Sequence, residues 1–272
     1  MMHDDSVGFR NISIGLSGRL GVIGLIAGLA AILLGEPVRA GPSEDLPDLE
    51  GHWAKRIVQV TVSDPPILGK YETKSVQLMD VEIEQDGRDL VVHSDTCSVT
   101  LHSEGSPLHP HLPRAFYEAI PDFHRSGRIV DAEDGYRVEI DSVVSVLGAR
   151  LRQKKSENLP TSPDDPRVVD DDKDGHRCRT FSITGFINGE TYVVQRGWDS
   201  FDGRLVSSNR IVGDVNWNAD QSVLDATNFL LKTQPASKPH PNSKKHRFVM
   251  VRVPKEIDCD YLNKHDEKPF ED

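Results

Sequence analysis

The sequence predicts a mostly β protein: a single antiparallel β-barrel of about 8–10 strands with one or two short helices, or else a β-sandwich. Three observations carry this. Apolar and polar residues alternate with a period of two in run after run. Asn-Gly and Asp-Gly dipeptides, which tolerate the positive φ of tight hairpins, fall between the runs. Helix signals are few.

The first forty residues read as an address. Leu20 to Leu34 is an uncharged apolar run preceded by Arg10 and Arg19 and broken by Gly35, Glu36 and Pro37. Val38-Arg39-Ala40 then supplies small residues two apart, as a signal peptidase requires. The run is shorter than the ~20 residues of a bilayer span. Residues 1–40 are therefore expected to be a secretory signal cut after Ala40. Left uncut, they would be an anchor touching membrane only through residues 12–35. Export to periplasm or extracellular space follows from either reading. Residues 41–50 form a polar lead-in, residues 51–256 the β domain, and residues 257–272 a C-terminal tail.

Within the domain, Ile57 to Val62 places Val58, Val60 and Val62 on one side of a first strand. Val76 and Leu78 alternate, as do Val81 and Ile83, but the phase changes between them. A β-bulge near Met79-Asp80 accounts for the slip. Tyr136, Val138, Ile140, Val144 and Val146 share a face, as do Phe181 and Ile183 in a later run. Leu205, Ile211, Val215 and Trp217 share odd positions, and Val249, Val251 and Val253 make the last strand. Turns are expected at Asp86-Gly87, Asp134-Gly135, Asn188-Gly189 and Asp202-Gly203. A short helix is expected over Pro113 to Ile120, and a second one capped by Asn218 or Asp220 and running to Leu231. Residues 153–166 and 234–245 are long loops.

Composition limits function. There are 32 basic and 43 acidic side chains, a formal charge of -11. No excess of Lys and Arg is available to neutralise phosphates, so nucleic acid is not an expected partner. The mean hydropathy of -0.44 excludes a polytopic membrane protein. Export permits one disulfide among Cys97, Cys178 and Cys259. Three pairings are possible; Cys97–Cys259 is favoured, because it would staple the tail to the body.

Gly51-His52-Trp53, just before the first strand, resembles the Gly-x-Trp of lipocalins. The resemblance implies an up-and-down barrel with Trp53 closing its base and an interior able to hold a small apolar ligand. An ordinary core tryptophan is the alternative.

The segment Asp164 to Gly175 carries the ion chemistry. Asp170, Asp172 and Asp174 are two apart and precede Gly175, the start of an EF-hand-type calcium loop. Alternate residues of a curling loop turn their carboxylates inward, toward a hard cation that takes six to eight oxygens. His176, at the seventh position, would add a backbone carbonyl. The twelfth position holds Phe181 instead of a bidentate Glu, so the segment is similar to the looser Asp-rich loops of thrombospondin type 3 and dockerin modules. The resemblance implies a structural calcium ion in the loop spanning 164–178, completed by Asp164, Asp165, Asp171 or water. A solvated acidic turn is the alternative.

Five histidines, His93, His102, His109, His111 and His124, fall in one region; His109-Pro110-His111 in a loop could bind zinc or copper, but without His-Glu-x-x-His or Cys-x-x-Cys spacing an incidental His-rich loop is expected. No Gly-x-Ser-x-Gly, P-loop or Gly-x-Gly-x-x-Gly motif occurs in residues 41–272. Arg196 and Trp198, next to the Asn188-Gly189 hairpin, are expected to stack structurally, with a role in a site as the alternative. The expected role is thus that of an exported, non-catalytic protein. An extracytoplasmic hydrolase, or a structural or interaction module without a cavity, is the alternative.

Overall fold

The computed structural model describes residues 46–64, 69–233, 237–265 and 268–271. The expected signal, residues 1–40, lies outside them. Among the described residues, no helix is long and apolar enough to cross a membrane.

Eleven strands form one antiparallel sheet. They are β1 (Gly51–Ser63), β2 (Tyr71–Asp86), β3 (Asp89–Glu104), β4 (Leu108–His111), β5 (Phe123–Ala132) and β6 (Gly135–Leu147). Then follow β7 (Arg179–Gly185), β8 (Gly189–Ser207), β9 (Arg210–Ala226), β10 (Ser237–Pro239) and β11 (Arg247–Arg252). Eight of them pair in the order β8-β6-β5-β3-β2-β1-β11-β9, and β9 pairs back to β8. The backbone hydrogen bonds thus run round a ring, leaving no ring strand with an unpaired edge along its whole length. β7 extends the β8 edge beyond the end of β6, with β4 outside it.

Alternation explains what fills the ring. Trp53 and Ile57 from β1 meet Met79, Val81 and Ile83 from β2, Leu90 and Val92 from β3, and Ile129 from β5. Val138 and Ile140 from β6, Phe201 from β8, Ile211 and Val215 from β9, and Phe248 and Met250 from β11 complete the cluster. Trp53 donates its indole N–H to Leu49 O at 2.9 Å, and Arg252 lies over its ring at 4.8 Å. The lead-in therefore folds across this end of the cluster.

A second apolar cluster, separate from the first, joins Ala54, Leu78, Cys97 and Val251 with Leu262 and Phe270 of the tail. Leu262 belongs to α2 (Cys259–His265), a helix within the segment expected only as a tail. The Cys97 and Cys259 sulfurs lie at bonding distance, with Cα atoms 4.8 Å apart, so α2 is stapled to β3. Cys178 is the remaining thiol, and it is buried. The other expected helix is observed as α1 (Arg114–Glu118).

Four expectations are corrected. The bulge lies in β3: Leu78 pairs with Ser98 and Met79 with Thr96, leaving Cys97 as the extra residue, while β2 keeps unbroken register with β1. The apparent phase change arises because Leu78 serves the cluster under α2 and Met79, Val81 and Ile83 serve the ring cluster. Asp202-Gly203 is no turn but lies inside β8; a Cβ on Gly203 would meet Phe248 Cζ and Ile211 Cγ2 at 2.6 Å. The glycine there makes room for a ring, and the chain reverses instead between Ser207 and Arg210. Asn188-Gly189 does mark a hairpin, but with residues 186–188 as its loop and the positive φ at Gly185. Finally, Asn218 and Asp220 cap no helix. They lie in β9, and only Phe229–Leu231 is helical, as a single 3-10 turn capped by Asn228.

Candidate metal centre

Residues between β6 and β7 make a long excursion and return through the Asp-rich segment. Gly148 turns the chain out with φ 76°, where a Cβ would lie 2.8 Å from Val193 O. Ala149 and Val168 form an isolated antiparallel bridge, and Val169 N donates to Gly148 O at 3.0 Å. Cys178 N then donates to Val169 O at 2.9 Å, closing residues 170–177 into a loop whose two ends are held together. Lys173 and Gly175 take positive φ, 58° and 93°, which curls the loop inward.

The curl brings one ligand atom from each of Asp170, Asp172 and Asp174 within 4.8 Å of one another. Gly175 N donates to Asp170 Oδ2 at 3.2 Å, and His176 N to Asp174 Oδ1 at 2.8 Å. Thr180 Oγ1 donates to Asp174 Oδ2. Asp172 is buried, only 7% exposed, and its Oδ1 makes no hydrogen bond. Burial, and then the neighbouring Asp174, push its carboxyl up to about 6, while the Arg179 guanidinium pulls the other way. Burial, and then the carboxylates of Asp172 and Asp174, push the Cys178 thiol up to about 12.

Two of the other expected donors, Asp165 and Asp171, go elsewhere. Asp165 is taken by Arg167, whose guanidinium and backbone N–H hold its carboxyl down at about 2. Asp171 Oδ2 accepts from Gly148 N at 3.0 Å, and its Oδ1 lies 2.5 Å from Arg179 Nε. The His176 ring stacks on Tyr192 at 4.6 Å, so the position expected to give a backbone carbonyl is fixed by its side chain. The donor set is thus three carboxylates, open to backbone carbonyls and water for the rest.

Arg179 gives no signal in the sequence, because a single Arg opening a strand makes no motif. It is fully buried, donates to the Phe116 and Ala119 carbonyls at the end of α1, and lies over the Phe116 ring at 5.2 Å. One guanidinium therefore joins the last carbonyls of α1 to the Asp-rich loop. Arg196 does not stack on Trp198 as expected; it pairs with Asp220 at 2.5 Å and donates to Glu157 O at 2.7 Å, which pins the 153–166 loop to β8. Trp198 is left half-exposed in an open cleft with Lys155 and Asn218.

Fold and site together define an antiparallel β protein carrying an inward-curled triple-aspartate loop. No family model, curated protein or solved structure matches the chain.

Proposed function

We propose that the chain is an exported, non-catalytic β-barrel protein whose Asp170–Asp172–Asp174 loop holds one structural calcium ion. One observation carries the reading: the buried Asp172 Oδ1, without a hydrogen bond, faces a pair of further carboxylates in a curled loop. A buried carboxylate oxygen left without a hydrogen bond costs about 1–3 kcal/mol even where the group's other contacts, here to the Thr180 backbone and the Arg179 charge, are made, and like charges nearby add to the cost. A divalent ion removes both penalties at once. The apolar run before Ala40 and the Cys97–Cys259 pair support a compartment outside the cytosol. The ring of eight paired strands supports the barrel reading. Side chains from Trp53 to Phe248 fill much of the ring, which favours a binding or structural role for the surface, including the open cleft of about 750 Å³ beside Ile140, Phe201 and Trp217, over a small apolar ligand inside.

Calcium should raise the Tm of chelator-treated protein by several degrees, with one ion bound in a calorimetric titration. Asp170→Ala and Asp172→Asn should abolish both responses. A wild-type Tm indifferent to calcium and chelator would overturn the reading. An apolar dye is expected not to bind at one per chain, and binding at that ratio would restore the internal ligand.

A further inference from the structure

A second group of ligating side chains lies far from the Asp-rich loop in sequence. The register pairs His93 of β3 directly with His124 of β5. Asp95 follows His93 by two residues, so the two share one face of β3, and Asp122, two residues before His124, lies just outside β5, whose register with β3 ends at Ser94 with Phe123. Leu90 and Val92 mark the opposite face, toward the ring cluster. The two Nδ1 atoms are 2.5 Å apart and the rings are nearly perpendicular, at 83°. Asp95 and Asp122 lie within hydrogen-bonding reach of each other and act electrostatically on the same patch as His124 and Asp80.

We propose that His93, His124, Asp95 and Asp122 form a tetrahedral site for a zinc-class divalent ion, clamping β3 to β5. Directly opposed Cβ atoms are about 5 Å apart and residues two along a strand about 6.8 Å. The centre of the four therefore lies about 4 Å from each Cβ. Imidazole Nδ1 and carboxylate oxygen both sit two bonds beyond Cβ, and zinc adds about 2.0–2.2 Å, which matches that reach. Two neutral imidazoles and two carboxylates cancel the ion's charge.

The nitrogens must part from 2.5 Å to about 3.3 Å, the separation of two ligands on a tetrahedral zinc. The ligand atoms do not stand together as those of the Asp170 loop do, so the exposed His124 ring, the His93 ring and both carboxylates must turn toward one another as the ion enters. The imidazole that donates its Nδ1 proton across this contact must take one up on Nε2 as the Nδ1 proton leaves, so both rings bind as neutral imidazoles with no net proton released. The outer shell is in place as well. His93 Nε2 faces Glu84 Oε1 at 3.6 Å, the carboxylate–histidine arrangement that orients a metal-bound imidazole. Beyond Asp95, Asp80 is held by His52 Nε2.

The test is a zinc titration of untagged, chelator-treated full chain in saturating calcium, which keeps the Asp-rich loop occupied. One zinc per chain is expected, and cobalt should give the intense visible absorption of a tetrahedral site. Changes in the outer shell alone cost about 10- to 100-fold in affinity. His124→Gln or His93→Gln, losing a direct ligand, should weaken binding at least about 100-fold. His109→Gln with His111→Gln should leave the isotherm unchanged. An isotherm identical in wild type and His93→Gln/His124→Gln would overturn the site. So would loss of zinc binding only in the His109→Gln/His111→Gln protein. Because calcium stays saturating, failure of the zinc site leaves the calcium reading untouched.

Discussion

Lys55 is the residue at which the interior departs most from apolar packing. It is fully buried, donates to Ser94 Oγ at 3.3 Å and lies 4.6 Å over the Phe201 ring. Burial first, and then Arg125, lower its pKa to about 7, with Asp199 opposing. Arg125 is itself paired to Asp199 at 2.6 Å, so the amine has no carboxylate to itself. Above about pH 7 the folded amine sheds its proton, while the unfolded one keeps it up to about 10.5. Between these values the unfolded chain binds more protons, so this group makes stability rise with pH. The cost of burying the charge is present in full below pH 7, and each tenfold loss of proton affinity is worth about 1.4 kcal/mol. Lys55→Met should therefore be more stable than wild type at pH 6 by a few kcal/mol. The difference between the two should shrink toward pH 10, measured by urea unfolding across that range. A constant difference at all pH values would mean that Lys55 stays charged in the fold. The same residue sits on the face of β1 that alternation hides. Val58, Val60 and Val62 mark the even positions, whereas the ring cluster takes Trp53 and Ile57 from the odd ones, with charged Lys55 between them.

At the scale of the element, the legible features are local. The turn at Asp86-Gly87, with Gly87 at φ 59°, and the start of β6 at Gly135 depend on one dipeptide each. The Asp-rich loop is legible because residue spacing alone curls it. Features set by a distant partner are not legible. Gly203 looks like a turn until Phe248, some forty-five residues later, is seen to occupy the space its missing Cβ leaves. β9 looks helical near its end because a bulge breaks its alternation: Val223 pairs with Val193 and Asp225 with Tyr192, which leaves Leu224 as the extra residue, packed with Ala149 and Cys178. α2 has only seven residues, with Leu262 as its buried residue, too little periodicity to read. Its position rests on the second apolar cluster and on the Cys97–Cys259 link, which closes 162 residues of sequence. Cys259→Ser should lower unfolding stability by about 2–5 kcal/mol, read from denaturant midpoints. In non-reducing conditions the wild type should be alkylated once, at Cys178, and only after denaturation. Two or three alkylated thiols would exclude the link.

For the molecule as a whole, fold class and antiparallel character follow from the sequence, but ring closure does not. Hairpins report which neighbours are sequential, and they are silent on which strands meet last. The closing strand is β11, lying between β1 and β9. Its pairing with β1 matches Trp53 to Arg252, almost the full length of the described chain apart. Contacts so distant in sequence slow folding, since the entropy of bringing the ends together is spent before any gain. A chain ending at residue 241 would lack β11 and leave both β1 and β9 with open edges. It should sediment as aggregate, where the full chain stays dispersed. A monomeric truncated chain would mean that β9 and β1 can zip without a spacer. The same topology bears on synthesis. A polypeptide delivered amino end first presents two sticky flanks throughout its emergence, and the last stave arrives only with residues 247–252. Until then both flanks of the growing sheet stay open, and a circular permutant opened within residues 153–166, with the natural ends tied, would only move the last closure to β6 against β8.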